Sequence, residues 1–308
     1  MAVTFSFTSH KCDRLKPNNS SSNENGLFLK GTNGCTLLLI HGLTGTPNEM
    51  KFLANYFNKK GYSVICPRLA NHGEPIGILK NTKWQECYQS VREAFLHCDS
   101  STNQGLFFAA GLSMGALLAL LLAEEFPERI SGVSCLSPTL FYDGWNTPWY
   151  KCFLPLAYFT PLKHFAYFKE EPPYGIKNEA LQQRVHRYYS KASLRTTEGL
   201  MQYGYPYFPV SLLHQLNLLV RFLKKILPSI HVPVQLIQAN DDDMTSVENS
   251  RFIYDRVNSK IKEIVLLYNS YHIITADQER DTVAQKMDVF FERIKKSARN
   301  TEMIFEKA

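Results

Sequence analysis

A serine stands between two glycines at Gly111-Leu112-Ser113-Met114-Gly115, straight after the apolar run 106–110 and straight before the helix-like stretch 114–126. The G-x-S-x-G pattern alone is weak, but a serine at a strand-to-helix seam is the context a nucleophile elbow requires. Such a turn strains the serine backbone, so the residues two positions to either side must be small, and Gly111 and Gly115 meet that demand. The bend pushes Oγ into the open, and the helix N-terminus behind it favours developing negative charge.

A serine hydroxyl needs a base to take its proton, and the base needs an acid to fix its tautomer. On a strand–elbow–helix scaffold these partners follow in the order serine, acid, histidine, each in a loop after a later strand. The strand-like VQLIQA runs into Asn240-Asp241-Asp242-Asp243-Met244, and EIVLLY runs into a loop holding His272. Of the nine histidines, His272 alone lies downstream of the elbow and directly after such a strand; His164, His186, His214 and His231 fall in an insertion or at its exit, and the rest precede the serine. The acid is one of Asp241, Asp242 and Asp243, which the residues alone do not separate. An oxyanion hole completes the set: His41-Gly42 follows the first central strand, so the backbone amides of Leu43 and of Met114, the residue after the nucleophile, can converge on a carbonyl oxygen.

The elements that must carry these residues alternate. Apolar strand runs at 35–40, 62–67, 106–110, 131–137, 232–239 and 263–268 are separated by helical patterns at 46–61, 84–95, 114–126, 246–257 and 277–296. Uniformly apolar strands between amphipathic helices predict an α/β fold, a mostly parallel sheet covered on both faces. In the first helix Thr46 reads as N-cap, Pro47 as the first helical residue and Glu49 as the closing member of a capping box, with Gly61 as the stop. The alternation breaks between Pro138 and Pro228, a stretch that holds about half of the aromatic residues. It reads as a helical cap insertion, 138–228, over the carboxyl ends of the strands, where open α/β sheets bind ligands. The core is then 27–137 and 229–297. Residues 1–26, polar and of low complexity at 16–26, read as a flexible N-terminal segment, and 298–308 as a C-terminal tail.

Composition narrows the class. The chain has 308 residues, 44% hydrophobic and 13% aromatic, and a net charge of +6 with scattered lysines and arginines, which argues against a nucleic-acid partner. Seven widely spaced cysteines with no C-x-x-C suit free thiols rather than a disulfide or zinc framework. The N-terminus lacks a signal-peptide pattern. The apolar run GALLALLLA is about half a bilayer span. A cytoplasmic location is the expectation.

At this point the chain resembles the α/β-hydrolases, and more narrowly the bacterial carboxylesterase and monoacylglycerol-lipase group. The resemblance rests on LLLIHGLTGTPNEM, KGYSVICPRLANHG, AAGLSMGALLAL, QANDDDM and NSYHIITADQERD, and it spans residues 27 to 296, most weakly in the insertion. It implies Ser113 as nucleophile, His272 as base, and Leu43 and Met114 as the oxyanion hole. It also implies Asp242 as the acid, because the family's aspartate is followed by an acidic residue and a methionine. Three positions depart from the family pattern: Tyr271 where glycine usually precedes the histidine, Asn71 in place of the first glycine of a GHG turn, and Ala116 where relatives often carry glycine. Tyr271 is expected to alter the loop or narrow the site.

The expected reaction is hydrolysis of carboxylic esters through an acyl-enzyme, with no metal or organic cofactor, on a small ester or lipid substrate. The aromatic insertion suggests an apolar acyl pocket for medium or long chains; the alternative reading is that its aromatics only pack the cap. The basic amphipathic stretch VSLLHQLNLLVRFLKKIL can be read as a membrane-surface helix, although in the family it matches a cap helix packed on the core. Thioesterase, amidase and acyltransferase chemistry share the triad, and a non-catalytic binding protein of the same fold is the reading from another class.

Overall fold

The computed structural model describes residues 26–99, 105–189, 200 and 204–305; the expected N-terminal tether, up to residue 25, lies outside them. In chain order the first half holds β1 (Gly26–Leu29), β2 (Thr36–Ile40), α1 (Lys51–Lys59), β3 (Ser63–Pro67), the single turn α2 (Ile76–Leu79), α3 (Trp84–Asp99), β4 (Phe107–Leu112), α4 (Met114–Glu125) and β5 (Ile130–Leu136). The stretch 138–228 supplies α5 (Leu154–Tyr158), β6 (Tyr167–Lys169), α6 (Glu179–Tyr189), β7 (Tyr207–Pro209) and α7 (Val210–Ile226). The chain then returns with β8 (Val234–Ala239), α8 (Glu248–Arg256), β9 (Lys262–Leu267) and α9 (Arg280–Phe305). The last helix thus runs on to Phe305, well past residue 296, where the sequence pattern fades.

The seven-stranded sheet has the order β1-β3-β2-β4-β5-β8-β9. Every neighbouring pair is parallel except β1 with β3; β1 is a short edge strand that the apolar-run criterion does not find. Strand side chains alternate between two cores. Leu37, Leu39, Phe108, Ala110 and Leu112 join Phe57 of α1 and Met287, Phe290 and Phe291 of α9 on one face. Leu38, Ile40, Phe107 and Ala109 join α3, α4, α7 and α8 on the other. Helix α4 is buried along Met114–Ala123, because an all-apolar helix finds no stable place at the surface.

The chain leaves β2 for β3 on one side and crosses to β4 on the other, so the strand order reverses between β2 and β4. That reversal opens a crevice at their carboxyl ends, the usual ligand position in open α/β sheets. The registers align the exits: Ile40 faces Gly111, Leu112 faces Leu136, and Ala239 faces Leu267. Backbone bonds extend the row beyond the strands, from Ser113 to Leu136 and from Ser137 to Ile237, each 2.8 Å. The residues of the expected site therefore leave one edge of one sheet.

The stretch between the core halves is helical but also contains the antiparallel pair β6–β7. Helix α7 does not lie on the surface with its apolar side outward. Its residues Leu212, Leu216, Leu219 and Leu223 are buried in the same core cluster as α3 and α4, which argues against reading this helix as a membrane-surface element. No helix among the described residues is long and apolar enough to cross a membrane.

Candidate active site

Ser113 sits at the junction of β4 and α4 with φ +56° and ψ −116°, a backbone state that costs a non-glycine residue about 1–3 kcal/mol. The flanking glycines are required by close approach. A Cβ on Gly111 would lie 2.2 Å from the Gly115 carbonyl carbon, and one on Gly115 would lie 2.3 Å from the Ile40 carbonyl oxygen. The elbow can therefore bend only because both positions lack side chains. It also brings the loop after β2 against the serine: a Cβ on Gly42 would be 3.7 Å from the Ser113 Cβ.

His272 leaves the loop after β9 and Asp242 the loop after β8. The Nδ1 of His272 lies 2.9 Å from Asp242 Oδ2 and 3.1 Å from Oδ1. The Asp242 carboxylate is fixed by the amides of Met244 and Thr245, each 2.9 Å from Oδ1, and by the Thr245 hydroxyl at 3.1 Å from Oδ2. Asp241, in contrast, is exposed and its carboxylate faces Lys177 at 3.8 Å. Burial pushes the His272 imidazole down, but the Asp242 charge and hydrogen bond, joined by Asp243 and Glu49, outweigh it and set the group above its ordinary value. The other ring nitrogen, Nε2, is buried with no hydrogen-bond partner, and His272 and Ser113 line one cavity of about 300 Å³.

Ser113 Oγ does not bond to that nitrogen here; it is paired with Thr139 Oγ1 at 2.8 Å. Thr139, buried just beyond the end of β5, carries no signal in the sequence. Catalytic hydrogen bonds are often unmade before substrate binds. Among the described residues, neither the Leu43 nor the Met114 amide donates to a backbone carbonyl in a turn, loop or cap. Two buried histidines brace the Leu43 loop. His41 accepts the Leu69 amide at Nε2 (3.2 Å), so its Nδ1 donates to the Gly42 carbonyl (3.0 Å). His72 Nε2 donates to the Leu43 carbonyl at 2.6 Å. Burial lowers both pKa values.

Glu49 does not close a capping box. Thr46 Oγ1 accepts the Asn48 amide at 3.3 Å, and the Glu49 carboxylate reaches back to the Gly42 amide at 3.0 Å. The first turn is a tight 3₁₀ turn over Pro47–Met50, which turns Glu49 into the cavity. Burial pushes it up to about 7. Glu170, from the segment after β6, faces the same cavity, accepts the Tyr189 hydroxyl at 3.0 Å and is likewise pushed up to about 7 by burial. Sequence reading missed Glu170 altogether and took the Glu49 spacing for helix grammar.

Tyr271 neither narrows the cavity nor strains its loop. Its ring packs at 5.5 Å from Trp145 and 5.4 Å from the Lys177 ammonium, outside the cavity lining, and its φ is not positive. Asn71 does take the left-handed geometry, φ +60°, which asparagine tolerates. The cavity wall is mixed rather than wholly apolar: Leu43, Tyr142, Ile176 and Phe208 share it with Glu49 and Glu170.

Two further carboxylates tie the cap to the histidine loop. Asp243 accepts the His272 amide (3.3 Å) on one oxygen and the Gly175 amide (3.1 Å) on the other. Asp277 accepts the amides of Tyr271 (2.9 Å) and Lys177 (2.7 Å) on one oxygen and those of Asn178 (3.0 Å) and Gln278 (2.9 Å) on the other.

Comparison with known proteins relates the chain to lipolytic and peptidase-type hydrolases. The model of the Hydrolase_4 family, described as serine aminopeptidase, S33, matches residues 33–279. A carboxylesterase of Bacillus subtilis (strain 168) is 24% identical over 84% of this chain and 92% of its own length. A thermostable monoacylglycerol lipase of Bacillus sp. (strain H-257) is 27% identical over 83% of this chain and 89% of its own. A solved structure of a metagenome-derived lipolytic enzyme superposes with a TM-score of 0.70 at 26% identity, covering 87% of this chain and 96% of that one.

Proposed function

The chain belongs to the Hydrolase_4 family, and from that premise we propose that it is a serine hydrolase of carboxylic esters working through an acyl-enzyme. One observation carries the reading: His272 holds Asp242 on one nitrogen, leaves the other buried without a hydrogen-bond partner, and lines one cavity together with a strained Ser113. Ser113 rotates from Thr139 and attacks the ester carbonyl as His272 Nε2 takes its proton. The Leu43 and Met114 amides hold the oxyanion, and His272 returns the proton to the leaving alcohol. Water, activated by the same nitrogen, then cleaves the acyl-enzyme. Asp242 keeps the proton on Nδ1 and stabilises the imidazolium.

The substrate class we favour is an ester with an apolar acyl chain, as in carboxylesterases and monoacylglycerol lipases; Leu43, Tyr142, Ile176 and Phe208 supply its wall. The test is kcat/KM on p-nitrophenyl esters from acetate to palmitate, with Ser113→Ala as control. A maximum beyond butyrate that vanishes in the variant supports the reading, and equal rates in variant and wild type refute it. A second reading, amide cleavage next to a free amino group, is favoured by the two cavity carboxyls Glu49 and Glu170. Turnover of amino-acyl p-nitroanilides above that of the esters would select it.

A further inference from the structure

An oxyanion donor serves only if its N–H already points one way before the charge forms. Leu43 follows Gly42, and a glycine ahead of the donor would let the donor's peptide swing. The loop after β2 removes that freedom from both sides of Gly42. The Gly42 carbonyl accepts His41 Nδ1 at 3.0 Å and the Gly45 amide at 3.3 Å. The Gly42 amide donates to Glu49 Oε2 at 3.0 Å. With both ends tied, neither torsion of Gly42 is free to turn. The Gly42 carbonyl and the Leu43 N–H belong to one planar trans peptide and point opposite ways, so the direction of that N–H is set as well. Further along, the Leu43 carbonyl accepts His72 Nε2 at 2.6 Å and the Thr44 carbonyl accepts the Tyr205 amide at 3.1 Å.

Glu49 is built into this loop. The 3₁₀ turn Pro47–Met50 carries its side chain back against the loop, and a Cβ on Gly45 would lie 2.1 Å from both of its carboxylate oxygens. The missing side chain at Gly45 therefore leaves the space that the carboxyl fills. Ionised or protonated, the carboxyl keeps an oxygen that can accept the Gly42 amide, so the tie survives the rise of its pKa to about 7.

We propose that Glu49 is a positioning residue for the oxyanion hole: by holding the Gly42 amide it keeps the Leu43 N–H aimed at the reacting carbonyl. This role rests on the ester-hydrolase reading and is separate from any contact of Glu49 with substrate.

The test is kcat and KM for p-nitrophenyl butyrate on the alkaline plateau of the pH profile, with Ki for butyl trifluoromethyl ketone. The adduct of that ketone with Ser113 places an oxyanion in the hole. Glu49→Ala is expected to lower kcat about tenfold or more and to weaken the ketone by a similar factor, with KM within about twofold. Glu49→Gln keeps an acceptor for the Gly42 amide and should hold kcat and Ki within about threefold of the parent. Gly45→Ala adds a methyl where the carboxyl sits, at a position whose φ is not positive. It should displace Glu49 and lower kcat as Glu49→Ala does, and it tests the same contact should Glu49→Ala fail to fold. Gly45→Ala/Glu49→Ala, with no carboxyl to displace, should be no slower than Glu49→Ala alone. A Glu49→Ala or Gly45→Ala protein with the parent's kcat and Ki would overturn the proposal. So would a Glu49→Gln protein as impaired as Glu49→Ala, or losses that add in the double variant. A wild type that neither hydrolyses the p-nitrophenyl esters nor labels with a fluorophosphonate would instead remove the ester-hydrolase reading, and this role with it.

Discussion

At the scale of single residues, the proposed reaction asks His272 to act as a base while carboxylates surround it. Burial disfavours its charged form, yet Asp242, Asp243 and Glu49 together raise its pKa above 6.5. A base works only when neutral, so kcat/KM must climb as pH rises through that value. Glu49 and Glu170, each at about 7, ionise in the same window and hold the imidazolium more firmly as they do. The acid limb of kcat/KM for p-nitrophenyl butyrate is therefore expected with its midpoint above 6.5, and a midpoint at or below that value contradicts the assignment. Ser113 stores strain that its proposed role as nucleophile would explain. Ser113→Gly is expected to abolish hydrolysis and raise unfolding free energy by about 1 kcal/mol, measured by urea melts, because glycine occupies a positive φ without strain. The serine and histidine were legible because each follows a strand in a fixed order, and Asp242 came from the family pattern rather than the spacing. Thr139, Glu49 and Glu170 were not. Their positions depend on which way a loop turns its side chain, and no period in the sequence records that.

At the scale of elements, the elbow is a contact between two backbones. Gly115 of α4 lies against the carbonyls of Ile40 and His41, at 2.3 and 2.7 Å from where a Cβ would stand. Gly115→Ala must push the β2 exit away, so it should cost about 3 kcal/mol of stability and lower kcat through displacement of the Leu43 amide; an unchanged urea midpoint would contradict this. The loops after β8 and β9 are linked differently, by carboxylates. Asp243→Asn removes one of two acceptors shared by His272 and Gly175, with an expected loss of about 1–3 kcal/mol. It also removes an anion from beside the imidazole, so the acid limb of kcat/KM should move to lower pH, which a purely structural role would not produce. The main strands and helices were legible from apolar runs and helical spacing, because burial on both faces writes itself into composition. The edge strand β1 and the pair β6–β7, at four and three residues, are too short to leave a period.

At the scale of the whole molecule, the reversal of strand order between β2 and β4 makes the crevice, and the segment after β5 roofs it. The parallel architecture follows from the sequence alternation, but the orientation of the cap's aromatics does not: composition cannot tell a ring turned inward, such as Tyr158, from one turned outward, such as Phe159. On the proposed reading, these layers serve one activated serine. The most direct test is labelling with a fluorophosphonate probe, followed by peptide mass spectrometry. One adduct, on Ser113, is predicted. It should disappear in Ser113→Ala and form about a thousandfold more slowly or worse in His272→Ala. A wild-type protein that does not label, or that labels at another residue, would contradict the account.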